Sequence, residues 1–530
     1  MKVKILSLIL AAGLLLSLCS CAAGGKTLEL TVGVLSAPDC FDPLFADGDA
    51  EYLIAANCFE GLMRFEADGT LEPAGCVAYS VNGKGLSYVF KLNPNARFNI
   101  TADVKSTLEK YGIESFDESI TAEDYITAFK RAIINDNEIF KSIKGAKELL
   151  AGNAEKFGVT ADGDRLTVTL TEADPDFLYK LAALPLVPCR AEFIEALGDD
   201  YGKSAAAVLT NGAYCINNVT EAGTVTLTES KSYNGKLTVM NKSATLYLTG
   251  SEKLMKERFN NGTYDIFTTH GFNTLKGADS TLSHTEAVWG LCFNLSKDIM
   301  KSKNLRNAIV AATNLTSFKV PASAVGGTVR TVPGDFLISE NNYAVHDELY
   351  DGSAADMEKA KSLLKSALTE LKTDAVTVRI FVPDTMLDSV KKELETDTAQ
   401  LGDAVTLELN GFAESDAAKI SAAGEYDIAV LPLEQKRLTA CSVLESLADT
   451  PCSCNNESYK KLLDGFKAET DAADAAEVAK AAEEYLTENA VFLPLFQTAS
   501  RLYTSQGITG IYSAESGKYI YFDAARGIGE

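Results

Sequence analysis

The sequence predicts a mixed α/β protein built from lobes, not a single sandwich or a helical bundle. Three observations carry that expectation. Short alternating strands are interleaved with amphipathic helices along the whole chain. No internal repeat organises them. Apolar stretches in the middle and near the end of the chain read as returns to a lobe begun earlier.

Taken in order, Leu28 to Val34 alternates as a strand and runs into the turn-prone Ser36-Ala37-Pro38-Asp39. Tyr52 to Phe65 places apolar residues at helical spacing. Tyr88 to Leu92 and Leu166 to Leu170 are further strands bounded by Gly and Asp. Thr121 reads as an N-cap with Glu123 and Asp124 in the first turn, ahead of a helix through Arg131. Met357 to Leu371 and Ala472 to Glu488 are long, Ala-rich, charged helices, and Val376 to Val382 opens another sheet. Two places look like lobe crossings, Leu71-Glu72-Pro73 and the apolar strand from Glu286 to Asn294, which holds the only tryptophan. Ala490 to Phe496 is the late return. A chain that leaves and re-enters a lobe makes a multi-strand hinge.

The first residues form a leader. Lys2 and Lys4 precede an apolar run of about fourteen residues, Ile5 to Leu18. That is too short for a hydrocarbon core of roughly 30 Å, but it suits a secretory h-region. Leu18-Cys19-Ser20-Cys21 resembles a bacterial lipobox with Cys21 as the lipid-accepting residue. An ordinary cleaved signal, cut near Ala22 or Ala23, is the alternative. Both place the protein outside the cytoplasm, and the first ties it to the membrane by its acyl chains.

Composition excludes several function classes. The formal charge is −24; without Lys2 and Lys4, 47 basic residues face 73 acidic ones, which leaves −26. So acidic a chain is a poor match for nucleic acid. Nine cysteines follow the leader (Cys40, Cys58, Cys76, Cys189, Cys215, Cys292, Cys441, Cys452 and Cys454), an odd number with no repeating spacing. Cys452-Ser453-Cys454 lacks zinc-knuckle spacing, so no metal is expected. Most sit among apolar neighbours and read as small buried hydrophobes. No catalytic constellation is found: the three histidines (His270, His284 and His346) belong to no hydrolase or metalloprotease motif, and no phosphate-binding loop occurs. No cofactor is expected, and the chain is not read as an enzyme.

Ordered motifs then carry a resemblance. Ser36 to Pro43, followed by Asn57-Cys58-Phe59-Glu60-Gly61-Leu62-Met63-Arg64-Phe65, looks like the opening of extracytoplasmic solute-binding proteins of family 5, the peptide-binding receptors of ABC importers. Tyr88 to Leu92, Asn95-Ala96-Arg97-Phe98, Thr121 to Tyr125 with Phe129-Lys130-Arg131, Ile143 to Glu148 and Asn211-Gly212-Ala213-Tyr214 follow in the family's order. Cys292-Phe293-Asn294, Leu305 to Ile309 and Leu493-Pro494-Leu495 complete it.

The resemblance implies a type II-like periplasmic binding protein. It would be a pear-shaped α/β molecule of two lobes, with an extra domain II inserted in lobe I. The implied borders are signal peptide 1–20, lipid-anchored linker 21–26, domain I 27–70, 209–286 and 489–530, domain II 71–208, and domain III 287–488. It further implies a monomer that closes over a peptide or small solute and works with ABC permease and ATPase subunits; a surface receptor that senses peptides without transport, or a binder of a non-peptide anionic solute, is the alternative. Main-chain capture by strand-like hydrogen bonds gives affinity without reading sequence, and pocket size sets the limits.

One stretch departs from the family. Peptide-binding members anchor the ligand's amino group on an aspartate after a tryptophan; here Tyr426 to Arg437 puts Leu433 in the tryptophan place and Lys436 near the aspartate place. Glu434 substitutes if the register slips by two, whereas Lys436 or Arg437 would meet an anionic group. Trp289 is a candidate aromatic wall or a core residue under the hinge. His270 lies on a loop beside Gly271 at the expected cleft edge. Phe41 and Asp42 lie in the loop after the first strand, where Asp-Pro is also a good turn starter. Arg306 reads as a structural charge partner.

Overall fold

Strand β1 (Glu29–Val34) opens a large sheet, and the short pair β2 (Met63–Phe65) and β3 (Leu71–Pro73) leads away from it. The strands β4 (Cys76–Val81), β5 (Ser87–Leu92), β6 (Val159–Asp162) and β7 (Arg165–Thr169) form a separate antiparallel sheet in the order β4-β5-β7-β6. The large sheet resumes with β8 (Tyr214–Val219), β9 (Val225–Glu229), β10 (Ser243–Leu248) and β11 (Ile266–Thr269). Then come β12 (Leu282–Phe293), a small hairpin of β13 (Leu337–Ile338) and β14 (Asn341–Asn342), β15 (Val376–Pro383), β16 (Val405–Phe412), β17 (Ile428–Glu434) and β18 (Phe492–Thr504). This is a computed structural model. It describes residues 28–527, apart from 68–69, 136–139, 175, 183–185, 272, 276–279, 315–336, 339–340, 343–354, 435–439, 450–456, 470–471 and 515–517.

The large sheet has ten strands in the order β16-β15-β17-β12-β18-β11-β1-β10-β9-β8. Its two ends are the sheets of two lobes. In lobe I, β1 runs parallel to both β10 and β11; in the second lobe, β15 runs parallel to both β16 and β17. The long antiparallel strands β12 and β18 join them. Leu282 to Thr285 pairs with Leu502 to Ala499 on the lobe I side, whereas Ala287 to Phe293 pairs with β17 on the other. The sheet therefore passes without a break through a two-strand seam.

Side-chain alternation along β12 explains why the second lobe needs helices on both faces. Ala287, Trp289, Leu291 and Phe293 enter one core with the helices Lys303–Ala312 and Met357–Leu371. Val288 and Cys292 enter another with Ala440–Asp449, Glu457–Ala468 and Ala472–Glu488. Lobe I and the inserted four-stranded sheet instead share one large core.

The helices Met357–Leu371 and Ala472–Glu488 span the predicted residues. The helix after Thr121 continues past Arg131 to Asn135. Thr121 there meets Asp124, whose carboxylate accepts from the Thr121 amide at 2.8 Å and hydroxyl at 2.9 Å. The helical reading of Tyr52 to Phe65 overreached: the helix is Asp49–Cys58, and Met63–Phe65 is β2. A distant residue ends it. Asn211 grips the Glu60 backbone on both sides, accepting from its amide at 3.0 Å and donating to its carbonyl at 2.8 Å. Gly212 beside it has no room for a Cβ, which would lie 2.5 Å from the Cys58 carbonyl carbon.

Each lobe starts an inner strand with the same three residues. Tyr264-Asp265-Ile266 opens β11 and Tyr426-Asp427-Ile428 opens β17. In lobe I, the Asp265 carboxylate accepts from the Thr31 amide at 2.8 Å, and the Asp265 amide donates to the Thr31 carbonyl at 2.8 Å. In the second lobe, Asp427 accepts from the Arg379 amide at 2.8 Å and returns its own amide to the Arg379 carbonyl at 3.0 Å. No repeat was expected from the sequence; the three shared residues mark a structural correspondence between the two lobes.

Candidate functional site

The carboxyl ends of parallel strands are where open α/β sheets bind ligands. In lobe I, the loops after β1 and β11 lie there, and they hold three of the candidate residues. Phe41 is 6% exposed and packs in the lobe I core. Asp42 is 3% exposed; it caps the Pro43–Phe45 turn by accepting from the Leu44 amide at 3.2 Å, and it pairs with Arg131 of the inserted domain. Burial by itself would lower the Arg131 pKa, but Cys189 and Asp42 beside it raise it. The Arg131 guanidinium also lies 4.9 Å from the Tyr201 ring centroid. Asp42 is thus one half of a buried joint between lobe I and its insertion, a role the Asp-Pro turn reading contained only in part.

His270 is placed differently. It follows β11, is about one-third exposed, and lies between two carboxylates: Nε2 is 3.0 Å from Asp49 Oδ1, and Nδ1 is 3.0 Å from Glu286 Oε1. Glu286 Oε2 accepts from the Gly271 amide at 2.7 Å. Burial would lower the imidazole pKa, but the bonds to Asp49 and Glu286 outweigh it and hold the pKa at about 10. Burial would likewise raise the Glu286 carboxyl, but the His270 bond keeps it below its ordinary value. The group is an imidazolium clamped between two carboxylates, with Arg501 Nη1 3.4 Å from the Gly271 carbonyl.

Trp289 is 6% exposed and stacks on Phe496 with centroids 6.0 Å apart, inside the second lobe's core. Of its two readings, the packing is the one observed. Glu434 is the last residue of β17, and its backbone pairs with Ala287, one residue from Glu286. Lys436 and Arg437 lie outside the described residues, as does Cys21. The chain thus brings the end of β17 to the same point of β12 that holds His270. Arg306 donates to the carbonyls of Asn489, Ala490 and Met300, stitching helix Lys303–Ala312 to the start of β18.

Asp49 and Glu286 were not singled out from sequence. Asp49 looks like any first-turn helix acid. Glu286 had a signal, being the one charge in the otherwise apolar crossing strand from Thr285 to Phe293.

On another side, the inserted domain meets the second lobe at a small charged cavity lined by Ser142, Glu172, Asp174 and Lys180 from one and by Glu445 and Lys467 from the other. Buried thiols behave as the sequence suggests: burial pushes Cys76 up to about 12 and Cys189 to about 11. Cys292 does not fit that reading, because it is disulfide-bonded. Among the described residues, no group of His, Cys, Asp or Glu has the makings of a metal site, and no helix is long and apolar enough to cross a membrane.

Two lobes on one continuous sheet, with a third domain inserted in the first, define the type II periplasmic binding protein class. Solved members include a pheromone receptor, PrgZ (TM-score 0.65, 19% identity, 94% of this chain and 100% of that one). A periplasmic murein tripeptide-binding protein, MppA, in an unliganded open form has a TM-score of 0.72 at 17% identity, over 95% of this chain and 99% of that one. The family profile described as bacterial extracellular solute-binding proteins, family 5 middle, matches residues 70–449. The chain belongs to that family, which is one of binding proteins and not of enzymes. It is 27% identical over 270 residues to the oligopeptide-binding protein AliB of Streptococcus pneumoniae, covering 48% of this chain but only 39% of that relative's length. It is 22% identical to a dipeptide-binding protein of Lactococcus lactis over 92% of this chain and 93% of that one.

Proposed function

We propose that this chain is the membrane-tethered receptor of an ABC importer. It captures a peptide or peptide-like solute between its lobes and delivers it to a permease. The observation that carries this reading is the seam: among the described residues only β12 and β18 run through both sheets, so the lobes can rotate about two strands while each core stays intact. Ligand contacts with both lobes favour the closed state by their differential affinity. Family membership and the peptide-binding relatives support the ligand class. Cys21 carries the anchor, and tethering keeps the receptor concentrated at its permease. The domain borders run at residues 71, 209, 287 and 489.

Ligand contacts are assigned to Glu434, which ends β17, and to Lys436 and Arg437 further along the sequence, with Lys436 or Arg437 meeting an anionic group in place of an amine anchor. A second reading, a binder of a non-peptide anionic solute, is favoured by those two cations and by a relative described as a probable deoxycholate-binding periplasmic protein of Escherichia coli, 27% identical over 194 residues. Native mass spectrometry of protein from its host, followed by a thermal-shift screen of free peptides, capped peptides and anionic solutes, separates the two. Lys436→Ala is expected to weaken anionic ligands selectively. Unchanged affinity for them would remove Lys436 from the site.

A further inference from the structure

The pairing of the hinge strand β12 with β18 slips twice: Leu495 is skipped on β18 between the partners of Trp289 and Gly290, and nearer lobe I the extra residue falls on β12 itself. Thr285 pairs with Ala499 and Ala287 with Thr498, so Glu286 is an extra residue on β12 with no partner on β18. It falls between the lobe I half of the strand and the half that joins β17. A bulge of this kind bends a strand and re-aims a side chain. Here the re-aimed side chain is a carboxylate, and both of its oxygens are engaged, one by His270 Nδ1 and the other by the Gly271 amide. The second imidazole nitrogen reaches Asp49, in the first turn of helix Asp49–Cys58.

We propose that Asp49, His270 and Glu286 form an ionic rivet that pins the hinge-strand bulge to lobe I, so that His270 is a positioning residue for lobe closure and not a ligand contact. This deepens the proposed hinge closure and rests on it. The two nitrogens point to separate carboxylates on separate elements, a geometry that suits an imidazolium bridge and denies a single ion access to all three groups. With both Glu286 oxygens and both His270 nitrogens engaged, the trio offers a solute little beyond the remaining Asp49 oxygen.

The consequence is mechanical. Below the bulge, β12 is held by β18 and by the rivet; above it, β12 belongs to the second lobe. The rivet therefore sets where rotation begins. Without it the pivot extends down the strand, the ligand-free protein samples a broader range of openings, and the closure-competent fraction falls, which weakens apparent affinity by the same factor.

The test uses the full mature chain carrying His270→Ala, with His270→Gln as a milder variant that can still donate to one carboxylate. Hydrogen exchange of the ligand-free protein is expected to quicken about tenfold at residues 270–271 and 284–288 in the alanine variant, and less in the glutamine variant, with the rest of the sheet unchanged. Small-angle scattering should show a wider spread of inter-lobe openings in the same order. Trialanine is the probe for affinity, with a loss of about three- to tenfold expected. Folded variants with parental exchange and parental openings would overturn the proposal, and weaker trialanine binding alongside them would make His270 a direct ligand contact. If trialanine binds neither parent nor variant, the assignment to peptides fails while exchange and scattering still decide the rivet.

Discussion

The two Tyr-Asp-Ile corners obey one local rule in opposite surroundings. At both, an aspartate just before an inner strand caps the backbone of its parallel neighbour. Tyr426 and Asp427 are sealed, with Asp427 4% exposed beneath a large core and its carboxylate also 3.6 Å from Arg379 Nε. In lobe I, Tyr264 lies against Gly33, where any Cβ would come within 2.6 Å of its ring, and belongs to a small cluster with Met255, Phe267, Leu275 and Tyr503. The Asp265 carboxylate there takes the Thr31 hydroxyl at 2.7 Å as well as its amide. The sealed corner anchors a lobe that stands on its own cores. The lobe I corner, where Tyr264 is buried but Asp265 is half-buried, leads within a few residues to His270 and the bulge in β12. Lobe I shares its large core with the insertion and adds ionic joints to it, at Asp42–Arg131 and around His270, where the second lobe packs helices on both faces of its sheet.

That contrast breaks first at Asp42. Asp42→Ala leaves the Arg131 guanidinium without its carboxylate in a mostly buried joint, and a loss of about 3 kcal/mol is expected by urea denaturation. Hydrogen exchange should place the loosening in lobe I and the inserted domain while the second lobe keeps its protection. Uniform loosening would mean that the lobes are not separately supported.

Next in size is Asp427→Ala, which removes a carboxylate that is 4% exposed and accepts from the Arg379 amide, and should cost about 2 kcal/mol. Asp265→Ala should cost nearer 1 kcal/mol, because water reaches the Thr31 groups it served. Equal losses at the two corners would refute the role given to burial.

The smallest effect concerns pH. The folded His270 pKa, at about 10, exceeds the ordinary value of 6.5, so its contribution is fully present below pH 6.5 and is lost as pH rises through 10. The parent should therefore lose stability between pH 7 and 10 relative to His270→Gln. Parallel pH profiles of the two proteins would show that the clamp does not hold a proton. One-third exposure keeps this contribution modest.

Much of the family pattern proves to be tertiary hydrogen bonding. Asn57 donates to the Ile520 carbonyl from 463 positions away, Asn211 grips Glu60, and Asn294 donates to the carbonyls of Gly424 and Tyr426. These residues were legible as an ordered motif, because a buried amide that satisfies distant backbone groups admits few substitutes. Their partners were not legible.

Legible along the chain were the alternation of strands and helices, the helices at Met357–Leu371 and Ala472–Glu488, the family, and the return of the chain to its first lobe. Those depend on periodicity and on order along the chain, which are local. Only the tertiary structure decided that the Tyr52–Phe65 helix stops early, that Asp42 meets Arg131, and that Glu286 leaves its strand to hold His270. A bulge is one residue of register between two strands more than two hundred residues apart. No local pattern encodes it, because neither strand alone has a partner to fall out of step with.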